Sequence, residues 1–331
     1  MRLRVALVSV AALLLVVGAL VLSGVPPTEA LAELARGAFG SKSAWAGTLR
    51  ETTPLLLAGL AVFLALRAGL FNIGVEGQLV VGAMASVAVC LAVPGAAGVV
   101  LGTLAGVAAG ALWALPAGLI KAYRNGHEVI TTIMLNGVAN FLSTALVAGP
   151  LKDPSQQSPT TRLLDASTRI PDLYSAPPFR VNLGLVAGLV LIAATAWWLR
   201  RTVAGFELRA TGANLRAAEF AGVPVRRVML WSMVASGAIG GLAGAVQALA
   251  YEGRFYAGFS PGYGFDSLGV AILAGASPFG LLPSALAFGA LAKGSTSIQI
   301  LGVPKGLSYV ILGLLIVVFA VVRYRREGAR D

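Results

Sequence analysis

The chain reads as long, nearly uncharged apolar runs separated by short polar interruptions. The runs are Val5 to Leu22, Pro54 to Leu66, Leu79 to Ile120, Val129 to Leu151, Val181 to Leu199, Val228 to Ala250, Phe265 to Ala292 and Gly306 to Val322. A helix needs roughly 20 apolar residues to cross the hydrocarbon of a bilayer, so most of these runs predict one crossing each. Two are too long for that. Pro94-Gly95 is a turn signal that divides Leu79 to Ile120, and Pro278, Gly280 and Pro283 divide Phe265 to Ala292 in the same way. The prediction is an all-α polytopic membrane protein with about ten spans. Val5 to Leu22 follows Arg2 and Arg4 and reads as a retained first helix rather than a signal peptide. It is long for a signal core, and Pro26 and Pro27 follow it without a small-residue cleavage site.

Composition agrees with that pattern. Of 331 residues 57% are hydrophobic and 12% charged, where soluble domains carry roughly one quarter charged. Mean hydropathy is +0.83. No polar surface remains to cover a conventional soluble core, so residues 1–331 are read as a single membrane domain. A net charge of +11 raises nucleic-acid binding in a soluble protein, but in a membrane protein it marks cytoplasmic loops. The basic residues do alternate. With the N-terminus inside, one side holds Arg2 and Arg4, then Lys121 and Arg124, then six arginines between Arg200 and Arg227, then Arg323, Arg325, Arg326 and Arg330. Both termini are then expected in the cytoplasm. Ser23 to Thr53 is expected as a near-neutral outer loop. Residues 150–181, rich in Pro, Ser, Thr and Gln, are expected as a long outer loop, either a cover or docking surface or an ordered connector. Cys90 stands alone in an apolar run and reads as a buried, inert thiol. Gly98, Gly102, Gly106 and Gly110, and Gly237, Gly240, Gly241 and Gly244, fall at helical spacing and predict close helix packing.

Four segments carry polar chemistry inside this apolar frame. In Leu70-Phe71-Asn72-Ile73-Gly74-Val75-Glu76-Gly77-Gln78, polar residues and two glycines interrupt the hydrophobic sequence after Arg67. Non-helical backbone at membrane depth is tolerated only where protein buries it or water fills a cavity, so one reading is a broken helix at a passage. The other is a cytoplasmic turn. In Glu128 to Asn140, Thr132, Asn136 and Asn140 recur every four residues with Thr131 beside them, which predicts a polar stripe on one face of a span. Such a stripe serves either interhelical hydrogen bonding or a hydrated path. His127, at that helix end, reads as a loop residue. Arg200 to Arg227 predicts a small helix with an Asn214 cap and a Gly222-Val223-Pro224 stop, which faces a partner or anionic lipid. Asp266 and Lys293 interrupt apolar sequence and either line a path or snorkel to an interface. No phosphate-binding loop, metal-ligand cluster or nucleophile with a base is visible, so no enzymatic activity, cofactor or metal is expected on the chain.

Four stretches together resemble the permease subunits of bacterial ABC importers. They are Phe71 to Gln78, Glu128 to Asn136 with its Thr-Thr-Ile-Met-Leu-Asn, Gly149-Pro150-Leu151-Lys152-Asp153-Pro154, and Gly212 to Gly222. Within that group the chain is similar to the branched-chain amino acid and simple-sugar permease superfamily, in particular to the longer permease of nucleoside importers that use a basic-membrane-protein type lipoprotein. The resemblance implies a type II-like importer permease in the bacterial inner membrane, translocating nucleosides, with purines first among them. It implies a second permease subunit, a cytoplasmic ABC ATPase that binds ATP and Mg, and an extracytoplasmic substrate-binding lipoprotein, and no nucleic acid. It makes residues 200–228 a cytoplasmic coupling segment, with Asn214, Leu215, Arg216, Ala217, Ala218, Glu219, Phe220, Ala221 and Gly222 as the coupling helix. Asn72, Gln78, Thr131, Thr132 and Asn136 become candidates for the path wall, with Asn140 and Asp266 added by their positions, and Glu76 becomes a candidate for holding the broken segment. Sugar permeases of the same superfamily share the Asn-Ile-Gly and Glu-Gly-Gln pattern. An ion-coupled secondary transporter is the alternative from another class; it would need buried carboxylates, for which Glu76 and Asp266 are available.

Overall fold

A computed structural model of the protein describes residues 24–303 apart from 177, together with positions 11, 14, 15, 17, 18, 20, 21, 310, 313 and 314. The predicted first and last spans, and the terminal arginines counted for orientation, lie wholly or mostly outside the described residues. In chain order the helices are α1 (Pro27–Phe39), α2 (Lys42–Arg67), α3 (Val75–Ala92), α4 (Ala96–Arg124), α5 (Glu128–Ala148), α6 (Leu183–Arg201), α7 (Val203–Ala213), α8 (Leu215–Phe220), α9 (Val225–Val246), α10 (Tyr263–Ala274) and α11 (Leu281–Ile298). A π-helical turn, Gln247–Glu252, extends α9. Six of the described helices, α2 to α6 and α9 with its extension, are long and apolar enough to cross a membrane.

Most of the turn signals act where the sequence puts them, whereas Pro283 falls inside α11 and divides nothing. Pro94-Gly95 separates α3 from α4, and Gly95 takes φ +82°, a left-handed conformation that a side chain resists. Pro278 opens a short 3-10 turn between α10 and α11. The Ser23 to Thr53 loop needs correction. It is largely helical, because α1 occupies Pro27–Phe39 and α2 already begins at Lys42, with Pro54 inside it. Hydropathy marks where apolar surroundings begin, whereas a helix continues as long as its own backbone bonds close. Polar side chains support this early part of α2: the Thr48 hydroxyl donates to the Ala38 carbonyl at 2.8 Å and that of Thr52 to the Thr48 carbonyl at 2.7 Å.

The chain divides into two compact units, residues 1–52, 175–180 and 282–331 in one and 53–174 with 181–281 in the other. In the first, Leu20, Val25, Ala30, Ile298 and Val303 form a buried cluster. In the second, α3, α4 and α9 meet backbone to backbone. A Cβ on Gly110 would strike the Gly237 carbonyl, one on Gly241 the Gly106 carbonyl, and one on Gly244 the Leu79 carbonyl. The glycine stripes are therefore packing surfaces, as their spacing predicts. On α4 the buried residues are Gly98, Gly102, Gly106, Gly110 and small neighbours, while Leu101, Leu104 and Leu112 are 49%, 59% and 66% exposed. Small residues inward and large apolar residues outward suit a surface that faces lipid or another subunit, and would be unfavourable in water. Cys90 is buried and its thiol donates to the Gly98 carbonyl at 3.2 Å.

The described residues of the 150–181 loop are tied down by backbone hydrogen bonds and include regular structure. The all-α expectation gives way there to a two-stranded hairpin, β1 (Asp172–Ala176) and β2 (Phe179–Asn182). The loop is laced to the segment after α9: Thr161 N–H donates to Phe255 O at 2.8 Å, Leu164 N–H to Gly253 O at 2.7 Å, Ile170 N–H to Leu249 O at 3.1 Å, and Ala257 N–H to Pro159 O at 3.1 Å. It covers that segment rather than looping free. At its start the Ser155 N–H and hydroxyl both donate to Asp153 and hold its carboxyl below the usual aspartate range.

Candidate functional site

The break between α2 and α3 is the polar centre of the larger unit. α2 stops at Arg67, residues 68–74 are non-helical, and Gly69 takes φ +77°. A helix that stops and restarts exposes backbone groups that must find other partners. Asn72, fully buried, supplies several. Its Nδ2 donates to Gln78 Oε1 at 3.0 Å and to Ser236 Oγ of α9 at 2.8 Å, while its Oδ1 accepts from Gly74 N–H at 3.0 Å and Gln78 Nε2 at 3.2 Å. Both donors and both lone pairs of the amide are thus used. Ser236 passes its own proton to the Ala61 carbonyl of α2 at 2.6 Å.

Two more helices close on the same turn. Asn136 of α5 accepts from Gly77 N–H and donates to the Ile73 carbonyl, both at 2.9 Å. Gly77 has to be glycine for that clamp, since a Cβ there would meet Asn136 Oδ1 at 2.9 Å. Glu76 Oε2 accepts from Gly264 N–H in the first turn of α10 at 2.7 Å, and the Ser260 hydroxyl also donates to it. A carboxylate at a helix N-terminus is electrostatically favoured. One short break therefore joins α2, α3, α5, α9 and α10.

The structure brings Asn72, Glu76, Gln78, Thr132 and Asn136 together at this break. Thr132 is buried, donates to the Glu128 carbonyl at 2.7 Å and lies against Gly74. Thr131 instead turns away, its hydroxyl on the His127 carbonyl at 3.2 Å. Asn140 is exposed and leaves the stripe; the buried face of α5 runs Thr132, Asn136, Ala139, Ser143, Val147. Each step of four residues overshoots a full turn by about 40°, so two steps carry Asn140 off the face that Thr132 begins. Asp266 lies half-buried in the first turn of α10. Lys293 runs its methylenes over Gly47 in a separate cleft of about 360 Å³ that Glu33 and Arg36 also line. His127 is an exposed residue just before α5. Glu128 pairs with Lys121 at 2.9 Å.

The segment from Arg200 to Arg227 holds two helices where one was expected. α7 ends at Ala213, Asn214 caps α8 by accepting from Ala217 N–H at 3.0 Å, and Gly222, at φ +82°, with Pro224 leads into α9. Ala218 is buried, whereas Leu215 is 44% and Phe220 92% exposed. Before the cap, Gly212 lies against the Arg67 carbonyl and the Gly69 amide, so closely that a Cβ at 212 would overlap the Arg67 oxygen. The segment thus abuts the break directly.

Sequence reasoning passed over Ser236, Ser260 and Gly264, since a lone serine or glycine in a small-residue helix carries no signal of its partner. It also passed over the polar end of α9. There Gln247 Nε2 donates to Glu252 Oε1 at 3.1 Å and Tyr251 donates to the Thr53 hydroxyl at 2.8 Å. A glutamine, a tyrosine and a glutamate at the edge of an apolar run were visible, and π-helical turns recur at functional sites. Among the described residues no three His, Cys, Asp or Glu side chains gather as a metal site.

Comparison with known proteins agrees with this architecture. The family described as branched-chain amino acid transport system, permease component, matches residues 45–320. The guanosine ABC transporter permease protein NupP of Bacillus subtilis is 38% identical, over 92% of this chain and 90% of that one. The glucose ABC transporter permease protein TsgB13 of Haloferax volcanii is 36% identical over 90% of this chain and 81% of its own. The nucleoside ABC transporter permease protein NupB of Lactococcus lactis is 31% identical over 90% and 85%. No solved structure matches. A helical frame with six bilayer-length apolar helices, matched by this family over most of its length, identifies the chain as a multi-pass membrane protein that belongs to the branched-chain amino acid transport system permease family of ABC transporter permeases.

Proposed function

We propose that the chain is the permease subunit of an importer that carries nucleosides, purine nucleosides foremost, across the bacterial inner membrane. The observation that carries this reading is the 38% identity over 92% of the chain to a permease named for guanosine, with a nucleoside permease also among the relatives. The chain pairs with a second, shorter permease subunit. A cytoplasmic ABC ATPase binds ATP and Mg, and an extracytoplasmic lipoprotein delivers substrate. On this reading residues 1–331 are one permease domain of about ten spans with both termini in the cytoplasm, residues 150–181 outside and 200–228 inside.

Asn214 to Gly222 then dock on the ATPase, with Leu215 and Phe220 as the apolar side chains that reach it. Movement of this segment is felt first at Gly212, whose contact with the Arg67 carbonyl and Gly69 leads into the break. From there the Asn72, Gln78, Asn136 and Glu76 bonds tie any displacement to α5, α9 and α10. Those four side chains with Thr132 act as positioning residues of the path wall, while Thr131, Asn140 and Asp266 offer polar groups beyond the closed network. The substrate undergoes no covalent change; the chemistry is ATP hydrolysis on the partner.

A sugar permease is the second reading, favoured by the 36% identity to the glucose permease. Proteoliposomes holding this chain, the second permease, the ATPase and the binding lipoprotein decide between them. ATP-dependent guanosine or adenosine uptake is expected, with glucose excluded. Glucose uptake without nucleoside uptake would transfer the assignment to the second reading, and uptake that survives ATP depletion but collapses with an uncoupler would remove both.

A further inference from the structure

A cavity of about 380 Å³ opens among α2, α6, α7 and α9. Its walls are mainly apolar, with Leu64, Leu208, Val228 and Ala235 beside the indoles of Trp198 and Trp231. Trp231 is 61% exposed, so the cavity communicates with the outer surface of the chain. Glu207 and Arg227 also line it, with opposite charges that offset.

One helical turn beyond the cavity wall the chemistry changes. Arg67 follows Leu64 on α2, and Thr211 follows Leu208 on α7, each three residues on and so on the same face. The two positions adjoin where Gly212 meets the Arg67 carbonyl. Each carries a buried polar atom that no group among the described residues satisfies, Nε of Arg67 and Oγ1 of Thr211, and Thr211 is only 2% exposed. Arg209 stands near enough to Arg67 for the two guanidinium groups to repel. Two cations, a free guanidinium N–H and a buried hydroxyl suit a group with several acceptor oxygens and negative charge, as a phosphate has. An apolar chamber one turn away suits a hydrocarbon chain.

The geometry points to a site for an anionic phospholipid, its phosphate at Arg67, Arg209 and Thr211 and an acyl chain in the chamber between Trp198 and Trp231. Arginines and tryptophans at the end of membrane helices are matched to this level of a bilayer, where the headgroups of one leaflet lie. The site adjoins the Gly212 contact, so an occupied site braces the 200–228 segment against α2.

The test uses the full chain in the assembled importer, reconstituted in vesicles with photoactivatable phosphatidylglycerol or photoactivatable phosphatidylcholine, the reactive group being on the acyl chain. Phosphatidylglycerol should label the 225–235 peptide roughly tenfold more than phosphatidylcholine, the scale expected from arginine attraction to anionic lipid. Thr211→Val, which replaces a hydroxyl by a methyl of similar size, should lower that preference several-fold while the thermal melting midpoint of the occupied protein falls. Ala235→Phe, which fills the chamber, should abolish labelling by both lipids. Equal labelling by the two lipids, or labelling indifferent to Thr211→Val and Ala235→Phe, would overturn the site. Stabilisation of the lipid-stripped protein by inorganic phosphate alone, without acyl-chain labelling of the peptide, would assign the anion subsite to free phosphate and overturn the lipid.

Discussion

Gly212 of α7 presses its backbone against the carbonyl oxygen of Arg67, the last residue of α2, with no room for a Cβ between them. This contact joins the surface segment proposed to meet the ATPase to the break that gathers five helices. Both surfaces there are backbone, so neither can yield by a change of rotamer. Replacing Gly212 by Ala should therefore act as overpacking, costing about 1–3 kcal/mol in stability. ATPase activity in the assembled importer should persist while substrate uptake per ATP hydrolysed falls several-fold. Paired measurements of hydrolysis and uptake in the same proteoliposomes check this; unchanged stoichiometry would contradict the role given to the contact.

Phe220 predicts the opposite combination. Its ring is 92% exposed and so adds little to folding of the chain itself. Phe220→Ala should shift the stability of the isolated subunit by less than about 0.5 kcal/mol. Association with the ATPase should weaken and uptake should fall at least tenfold, as for a centrally buried aromatic at an interface. Thermal unfolding of the subunit and co-purification of the ATPase measure the two sides separately.

Asn72 is a stability prediction first. Asn72→Ala removes one side chain but leaves the Gln78 amide and the Gly74 N–H without their partner in a buried place, while Ser236 loses the bond it accepts and keeps the one it donates to the Ala61 carbonyl. Each orphan costs about 1–3 kcal/mol. The loss should exceed that of Ser236→Ala, which leaves Asn72 its bonds to Gln78 and Gly74. A double-mutant cycle for Asn72 and Ser236 should give a coupling of about 0.5–3 kcal/mol. Additive effects would mean that the two side chains do not depend on each other.

Asp153 gives a pH dependence confined to the loop of residues 150–181. Its folded carboxyl is held below the usual range by the Ser155 N–H and hydroxyl, with Arg162 and Arg254 adding to the effect. A depressed carboxylate contributes order above the ordinary aspartate range and loses it as pH falls through the folded value. The 153–155 turn should therefore stay protected at neutral pH and open on acidification below the ordinary range, with Asp153→Asn much less sensitive. Amide exchange at Ser155 across that pH interval reads it.

The sequence by itself settled what depends on neighbours along the chain. Apolar runs, the Pro94-Gly95 and Pro278 turns, the Asn214 cap and the glycine stripes are local signals. The turns, the cap and the stripes are in place. Among the described residues six helices are long and apolar enough to cross a membrane, with the Phe265 to Ala292 run giving shorter pieces. The locality also explains the errors. α2 begins before the apolar run does, because helix closure and hydropathy have different limits. Asn140 leaves the polar face of α5 because a spacing of four drifts around a helix that turns every 3.6 residues, by about 40° a step. Only the tertiary structure decided which polar residue meets which. Asn72 and Ser236 lie 164 residues apart, and nothing in an Asn-Ile-Gly turn or a lone serine on a Gly-rich helix specifies the other. Hydropathy states that a buried amide must find a partner in an apolar interior, and the packing of α3 against α9 determines which one it finds.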